Sequence, residues 1–332
     1  MRVARQRLAD RRQGQAAAHA QLFHTAHEGG AHLSFFLNEL KREADQLGPG
    51  DLAVEAGAGM GWVAALMAAH SPACVLATEP AWGEDRPHKL ANAHTLWRMK
   101  ERHEPLSAVV RFRRDEDGNL ASVTFDPRIG FVRGTGEALP VRDGTAALVY
   151  SYNCLEHMAD LPGYFAEAVR ALRPGGRLYN ATEPLYFSAQ GHHLEDIFPV
   201  PWGHLLWHPE ELAALVLREA GKEREWVPGV PLREEHVLGE ILGSLNAATP
   251  RDIRQPLRDG PWEVEGWVDV IDPAEEKLAN EMGLYSALRG IAREALLVRG
   301  LRMRLVRRER AVGLRGALLF SALFRRRARS LL

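Results

Sequence analysis

Asp51-Leu52-Ala53-Val54-Glu55-Ala56-Gly57-Ala58-Gly59-Met60-Gly61-Trp62 is the stretch on which the fold turns. Residues 51–56 form a short, mostly apolar run, the signature of a buried strand, and it ends on alternating glycines. Glycine lets the backbone turn sharply and brings it against a neighbour with no Cβ in the way. Residues 62–69 then read as a helix, and 73–78 as a second strand of small and branched residues ending on Glu79-Pro80. Strand, glycine loop, helix and strand together open a doubly wound α/β sheet.

Outward from this unit the alternation continues. Residues 15–48 carry Leu22, Phe23, Leu33, Phe35, Phe36, Leu37 and Leu40 among charges and predict helix, stopped by Gly48-Pro49-Gly50. Residues 92–100 predict helix. Residues 109–113 and 120–125 flank Asp117-Gly118 and predict a β-hairpin, an insertion spanning about 106–127 that is either a substrate flap or a surface ornament. Strands are expected at 129–132, 146–150, 177–181, 224–227 and 264–271, and helices at 161–172 and 209–220. Acceptor-pocket or lid segments are expected at 184–208 and 232–262. The division is a helical cap over 1–48, a Rossmann-like domain with a mostly parallel seven-stranded sheet over 49–272, and a basic helical tail over 273–332.

The net charge of −1 hides an asymmetry. From Arg289 onward thirteen arginines face only Glu294 and Glu309, so this end is near +11 and the rest near −12. Such a split points to an anionic partner, and residues 314–332, with an apolar run before Arg325-Arg326-Arg327, suit a helix lying on anionic headgroups. No nucleic-acid module is recognisable. The N-terminus lacks the apolar stretch of a secretory signal, and no segment approaches the roughly 20 apolar residues of a membrane span. Cys74 and Cys154 have no partner at metal-ligand spacing and read as reduced core or near-core thiols. The chain is expected to be cytoplasmic, or peripheral at the inner membrane face.

The glycine loop, between a strand and a helix, is placed to hold a nucleotide. A dinucleotide loop wants a third glycine where Trp62 stands. Glu79, about 20 residues on, suits a ribose diol in any nucleoside ligand.

Gly134-Thr135-Gly136-Glu137-Ala138-Leu139-Pro140, Leu148-Val149-Tyr150-Ser151-Tyr152-Asn153-Cys154-Leu155-Glu156-His157 and Leu172-Arg173-Pro174-Gly175-Gly176-Arg177 follow in order. Over about residues 50–182 the chain resembles class I S-adenosylmethionine-dependent methyltransferases of the small-molecule, UbiE/UbiG-like type. The resemblance implies that the loop with Glu55, Gly57, Gly59 and Gly61 holds the methionine end of the cofactor. Glu79, with Pro80, would hold the ribose, Glu137 and Ala138 would border the adenine, and Asn153 would complete the site. Thr135 stands where the family usually has an acid, and Ala146-Ala147 where it has Phe-Asp.

Methyl transfer to a hydroxyl needs alignment of three atoms, exclusion of water and a base. His157 is a candidate base or a loop anchor. Glu156-His157 resembles part of a Glu-x-x-Glu-His metal motif whose first ligand is here Asn153, and no metal is expected. His192 and His193 are further candidate bases, in a stretch with His204, His208, Trp202 and Trp207 that suits sugar rings or planar aglycones, or a packed lid. The expected activity is O-methylation of a hydroxylated small molecule, glycan or lipid-linked intermediate. A cofactor-binding partner protein without transferase chemistry, and another nucleoside-dependent enzyme on the same fold, are the alternatives.

Overall fold

The computed structural model describes residues 31–80, 89–117, 120–194, 197–221, 225–227, 230–243 and 245–308. Eleven strands occur among them: β1 (Leu52–Ala56), β2 (Cys74–Thr78), β3 (Val110–Arg114), β4 (Leu120–Phe125), β5 (Ile129–Val132), β6 (Ala146–Tyr152), β7 (Leu172–Thr182), β8 (Glu225–Val227), β9 (Val230–Pro231), β10 (Trp262–Ile271) and β11 (Val298–Arg307). The main sheet has seven strands in the order β10-β11-β7-β6-β1-β2-β5. Pairing is parallel from β5 through β7, and β11 is antiparallel to both β7 and β10. The expected Rossmann-like, mostly parallel sheet is therefore present, with a single reversed strand.

Alternation along the strands builds two cores. Ala53, Leu148 and Tyr150 face one side, where helix α1 (Trp62–His70) and a helical segment beginning at Ala31 pack through Phe36, Leu40 and Leu66. Val54, Val149 and Leu178 face the other side, against helices α2 (Leu161–Ala171) and α3 (Pro250–Arg258). A period of two sends successive side chains to opposite faces, so each central strand serves both layers. The expected hairpin exists as β3 and β4 in a separate two-stranded sheet.

Two expectations are corrected. Residues 224–227 do not join the main sheet, because Glu225–Val227 pairs with Val230–Pro231 in a short ribbon. Residues 298–307 are not a helical tail but β11, lying inside the sheet between β7 and β10. Leu301, Met303 and Leu305 are buried in the second core.

The arginines of β11 meet acids brought from far along the chain. Arg299 pairs with Glu183 at 2.6 Å, Arg302 with Glu39 at 2.7 Å and Arg304 with Glu43 at 2.6 Å, and Arg308 lies 3.5 Å from Glu263. With Arg293 paired to Glu276 at 2.7 Å, five of the seven arginines from Arg289 to Arg308 thus have an acid beside them in the fold, and Arg307 donates to Leu172 O. Residues 309–332, which carry the suggested headgroup-binding run, lie outside the described residues. Among the described residues no helix is long and apolar enough to cross a membrane. Cys74 is exposed, contrary to its reading as a core or near-core thiol.

A third core gathers Phe198, Trp202, Leu206, Leu212, Val216, Met282 and Leu296. It joins helix α4 (Pro209–Ala220) and helix α5 (Pro273–Met282) to the segment after β7.

If β11 is part of the core, Leu301→Ala lowers stability by about 2–5 kcal/mol in denaturant titration, as expected for a buried leucine. Stability within about 0.5 kcal/mol of wild type, the range of a surface change, would contradict its place in the sheet.

Candidate functional site

Strands β5, β2, β1 and β6 run parallel, so the loops that follow them open on one edge of the sheet. The strand order reverses between β1 and β6, where a crevice forms outside the carboxyl ends of an open sheet. Gly57 follows β1, Glu79 follows β2, Gly134 to Pro140 follow β5, and Asn153 follows β6.

Backbone hydrogen bonds lace these loops together. Gly57 N and Ala58 N donate to Thr78 O at 3.0 and 2.9 Å, and Gly61 N donates to Ala58 O at 2.8 Å. Gly59 N donates to Glu79 Oε2 at 3.0 Å, and Glu79 N donates to Val132 O at 3.2 Å. Gly57 adopts φ +72°, and a Cβ there would sit 2.0 Å from Cys154 Sγ. Gly59 adopts φ +52° with nothing within 4 Å of its Cβ direction, so the tip of the loop presents bare backbone. Pro80 is exposed beside Glu79. Across the crevice Glu137 Oε1 accepts from Asp160 N at 3.4 Å, and Ala138 is exposed with its N–H on Thr135 O at 3.2 Å.

Beneath the loop Glu55 is buried, and Tyr150 OH donates to its Oε2 at 3.3 Å. Burial pushes its carboxyl up to about 8, so it is mostly protonated at neutral pH. Burial also raises the Cys154 thiol, which stays protonated and packs under Gly57.

Asn153, at φ +48°, connects this edge to a cavity of about 360 Å³. The helical segment through Phe35 and Glu39 forms one wall, and the ends of β7 and β11 form the other. Two ion pairs, Glu39–Arg302 and Glu183–Arg299, lie in the walls, and the rings of Phe35 and Tyr152 stack at 4.0 Å with 15° between planes. None of His157, His192 and His193 lines this cavity.

His157 is exposed on the short turn Leu155–His157, which Asn246 straps down by donating to Leu155 O at 2.6 Å and Met158 O at 2.8 Å. Behind it Glu156 is buried, its carboxyl raised by that burial and accepting from Thr182 OH. The His157 ring meets His193 edge-on, centroids 5.5 Å apart. His193 donates through Nε2 to Pro184 O at 3.2 Å, and burial holds its pKa down at about 4.

His192, a candidate base from the sequence, is a packing residue instead. Its ring is fully buried, Nδ1 accepts from Leu194 N at 2.9 Å, and Nε2 donates to Val200 O at 3.2 Å. Both nitrogens are committed to backbone, and burial lowers its pKa well below 6.5. His204 is also buried and commits Nε2 alone, donating to Tyr186 O with its pKa lowered to about 4 by burial, and Trp202 donates to Leu296 O at 3.2 Å. Of the two readings of this stretch, the packed one describes these three residues.

Glu39, Glu183, Gln190, Arg299 and Arg302 were not singled out by sequence reasoning, yet all line the cavity. A signal existed for the arginines: Leu301-Arg302-Met303-Arg304-Leu305 alternates with the period of a strand.

Residues 102–180 match the family model described as a methyltransferase domain. Over that stretch, about a quarter of the chain, it is similar to methyltransferase domains. The matched part runs from the end of the helix Lys89–Arg102 into β7, and the glycine loop lies before it. A search of curated proteins finds no match. Among solved structures the chain is similar to a geranyl diphosphate methyltransferase in complex with SAM, at 17% identity over 90% of this chain and 93% of that one, TM-score 0.43. It is also similar to a putative S-adenosylmethionine-dependent methyltransferase from Listeria monocytogenes (15%, 86% and 100%, 0.44). A third is geranyl diphosphate C-methyltransferase from Streptomyces coelicolor A3(2) (14%, 81% and 76%, 0.41). With scores this low, the fold rests on the strand order described above.

Two pH dependences follow. The raised pKa of Glu55 means that its contribution to stability is complete below about 4.5, its unfolded value, and is lost as pH rises through about 8. Glu55→Gln therefore gains stability relative to wild type between pH 5 and 8 in thermal melts, and an unchanged difference across that range would contradict the buried, protonated carboxyl. The lowered values of His193 and His204 mean stability that is present above 6.5 and lost as pH falls through about 4. Denaturant titrations across that window should show a decline that His204→Gln flattens, and an equally steep decline in the variant would contradict it.

Proposed function

We propose that this methyltransferase domain takes a methyl group from S-adenosylmethionine and delivers it to a hydroxyl of a small molecule, glycan or lipid-linked intermediate. The observation that carries this reading is the loop edge itself. Bare backbone at Gly59 and the carboxylate of Glu79 are 3.0 Å apart, and Asn153 borders both this edge and the cavity.

In this reading Gly57, Gly59 and Gly61 let the backbone approach the methionine end of the donor, with Glu55 beneath. Glu79 accepts from the ribose hydroxyls beside Pro80, and Glu137 and Ala138 border the adenine. Asn153 stands between donor and acceptor. When bound, the donor supplies a methyl carbon activated by a positively charged sulfur. The acceptor oxygen forms a bond to that carbon as the carbon–sulfur bond breaks, and the sulfur keeps the electron pair. His157 stands four residues after Asn153 and outside the cavity lining, so in this reading it takes the proton of an acceptor hydroxyl that projects from the cavity past Asn153, and its neighbour His193 stays neutral because burial opposes its charging. The polar cavity supports a hydroxylated acceptor, and the resemblance of residues 50–182 to UbiE/UbiG-like enzymes supports a small one. For residues 309–332 an anionic membrane surface is the proposed partner.

Calorimetry should show S-adenosylmethionine and S-adenosylhomocysteine binding with micromolar affinity and NAD not binding. Glu79→Ala should weaken both adenosyl ligands about tenfold to a hundredfold, the effect of losing hydrogen bonds to a charged group. Binding of NAD without either adenosyl ligand would overturn the donor assignment.

A further inference from the structure

We propose that the cavity beside Asn153 takes a neutral sugar ring, and that Gln190 reads one of its hydroxyls. The proposal rests on the transferase reading above and narrows its acceptor class.

Gln190 lines the cavity and is only 6% exposed, and its Oε1 is buried without a hydrogen-bond partner, so a turn of the side-chain amide toward the cavity is what brings that oxygen to a ligand hydroxyl. A buried carbonyl oxygen without a donor is costly, and a ligand that supplies one is favoured in proportion. A hydroxyl both donates and accepts, so it suits an amide in either orientation. The rest of the lining selects among hydroxylated ligands. Glu39 with Arg302 and Glu183 with Arg299 leave the walls without net charge, so a phosphate or carboxylate would meet two carboxylates beside the two guanidiniums. Hydroxyls can bridge such pairs without displacing either partner. Phe35 and Tyr152, stacked on each other, both line the cavity and add apolar ring surface to its polar wall, which suits the C–H groups of a pyranose. A cavity of about 360 Å³ is sized for a small ligand.

Gln190 is also held rigidly. His193 N donates to Gln190 O at 3.0 Å, and Trp202 N donates to Ala189 O at 2.7 Å. The backbones of His193 and of Trp202, the latter in the third core, thereby fix the wall that carries the amide.

The test is saturation-transfer NMR on the full chain with methyl glucoside, mannoside, galactoside and rhamnoside, run with and without S-adenosylhomocysteine. At least one pyranoside should bind, and Gln190→Leu should weaken it at least tenfold while circular dichroism and S-adenosylhomocysteine affinity stay unchanged. If that variant fails to fold, Gln190→Met keeps the length without the polar end and is expected to behave alike. Binding of none of the four, or equal binding by wild type and variant, overturns the proposal. Because pyranoside binding is read without S-adenosylhomocysteine too, failure of the donor reading registers separately, as absent calorimetric heat.

Discussion

Parallel pairing of β1 with β2 on one side and with β6 on the other is the constraint on which the site depends. Parallel strands place all their carboxyl ends on one edge, and the reversal of order at β1 and β6 opens a crevice there. Every loop residue of the proposed donor site stands on that edge. The hydrogen bonds from Gly57 and Ala58 to Thr78 and from Gly59 to Glu79 then fix two loops that are 20 residues apart in sequence. Gly57 has no freedom to change, since both its dihedral and Cys154 Sγ exclude a side chain.

The acceptor side depends on the one reversed strand. By running antiparallel between β7 and β10, β11 brings Arg299 and Arg302 to the cavity where Glu183 and Glu39 stand. Each arginine is balanced by an acid from a remote segment, which leaves a polar but neutral pocket. The same strand buries Leu301, Met303 and Leu305 in the second core, and Leu301 also lines the cavity, so the residues that shape the pocket cannot be separated from those that stabilise the sheet.

Burial sets the protonation state of several groups near the edge. Glu55 is held neutral under the glycine loop, and His192, His193 and His204 are held neutral in and beside the third core. Each is a cost in stability over part of the pH range, and proteins commonly retain such costs where function needs the group. For His204 the gain is structural, because its ring donates to Tyr186 O, while His192 adds a second donor to Val200 O, which Gly203 N also reaches.

The sequence by itself determined the strand–glycine–helix unit, the hairpin and the parallel half of the sheet, and it named the residues proposed for the donor site. These are local patterns: a period of two, a glycine turn, a carboxylate at a strand end. It misread Val298–Arg307 because thirteen arginines outweighed the alternation of Leu301, Met303 and Leu305, and charge along a chain does not reveal its partners. It offered His192 as a base because the sequence names a histidine without its surroundings. Only the tertiary structure decided that both its ring nitrogens face backbone, and that Gln190, Glu39 and Arg302 meet at one cavity. Those facts depend on contacts between segments as much as 263 residues apart, such as Glu39 with Arg302, which no local pattern encodes.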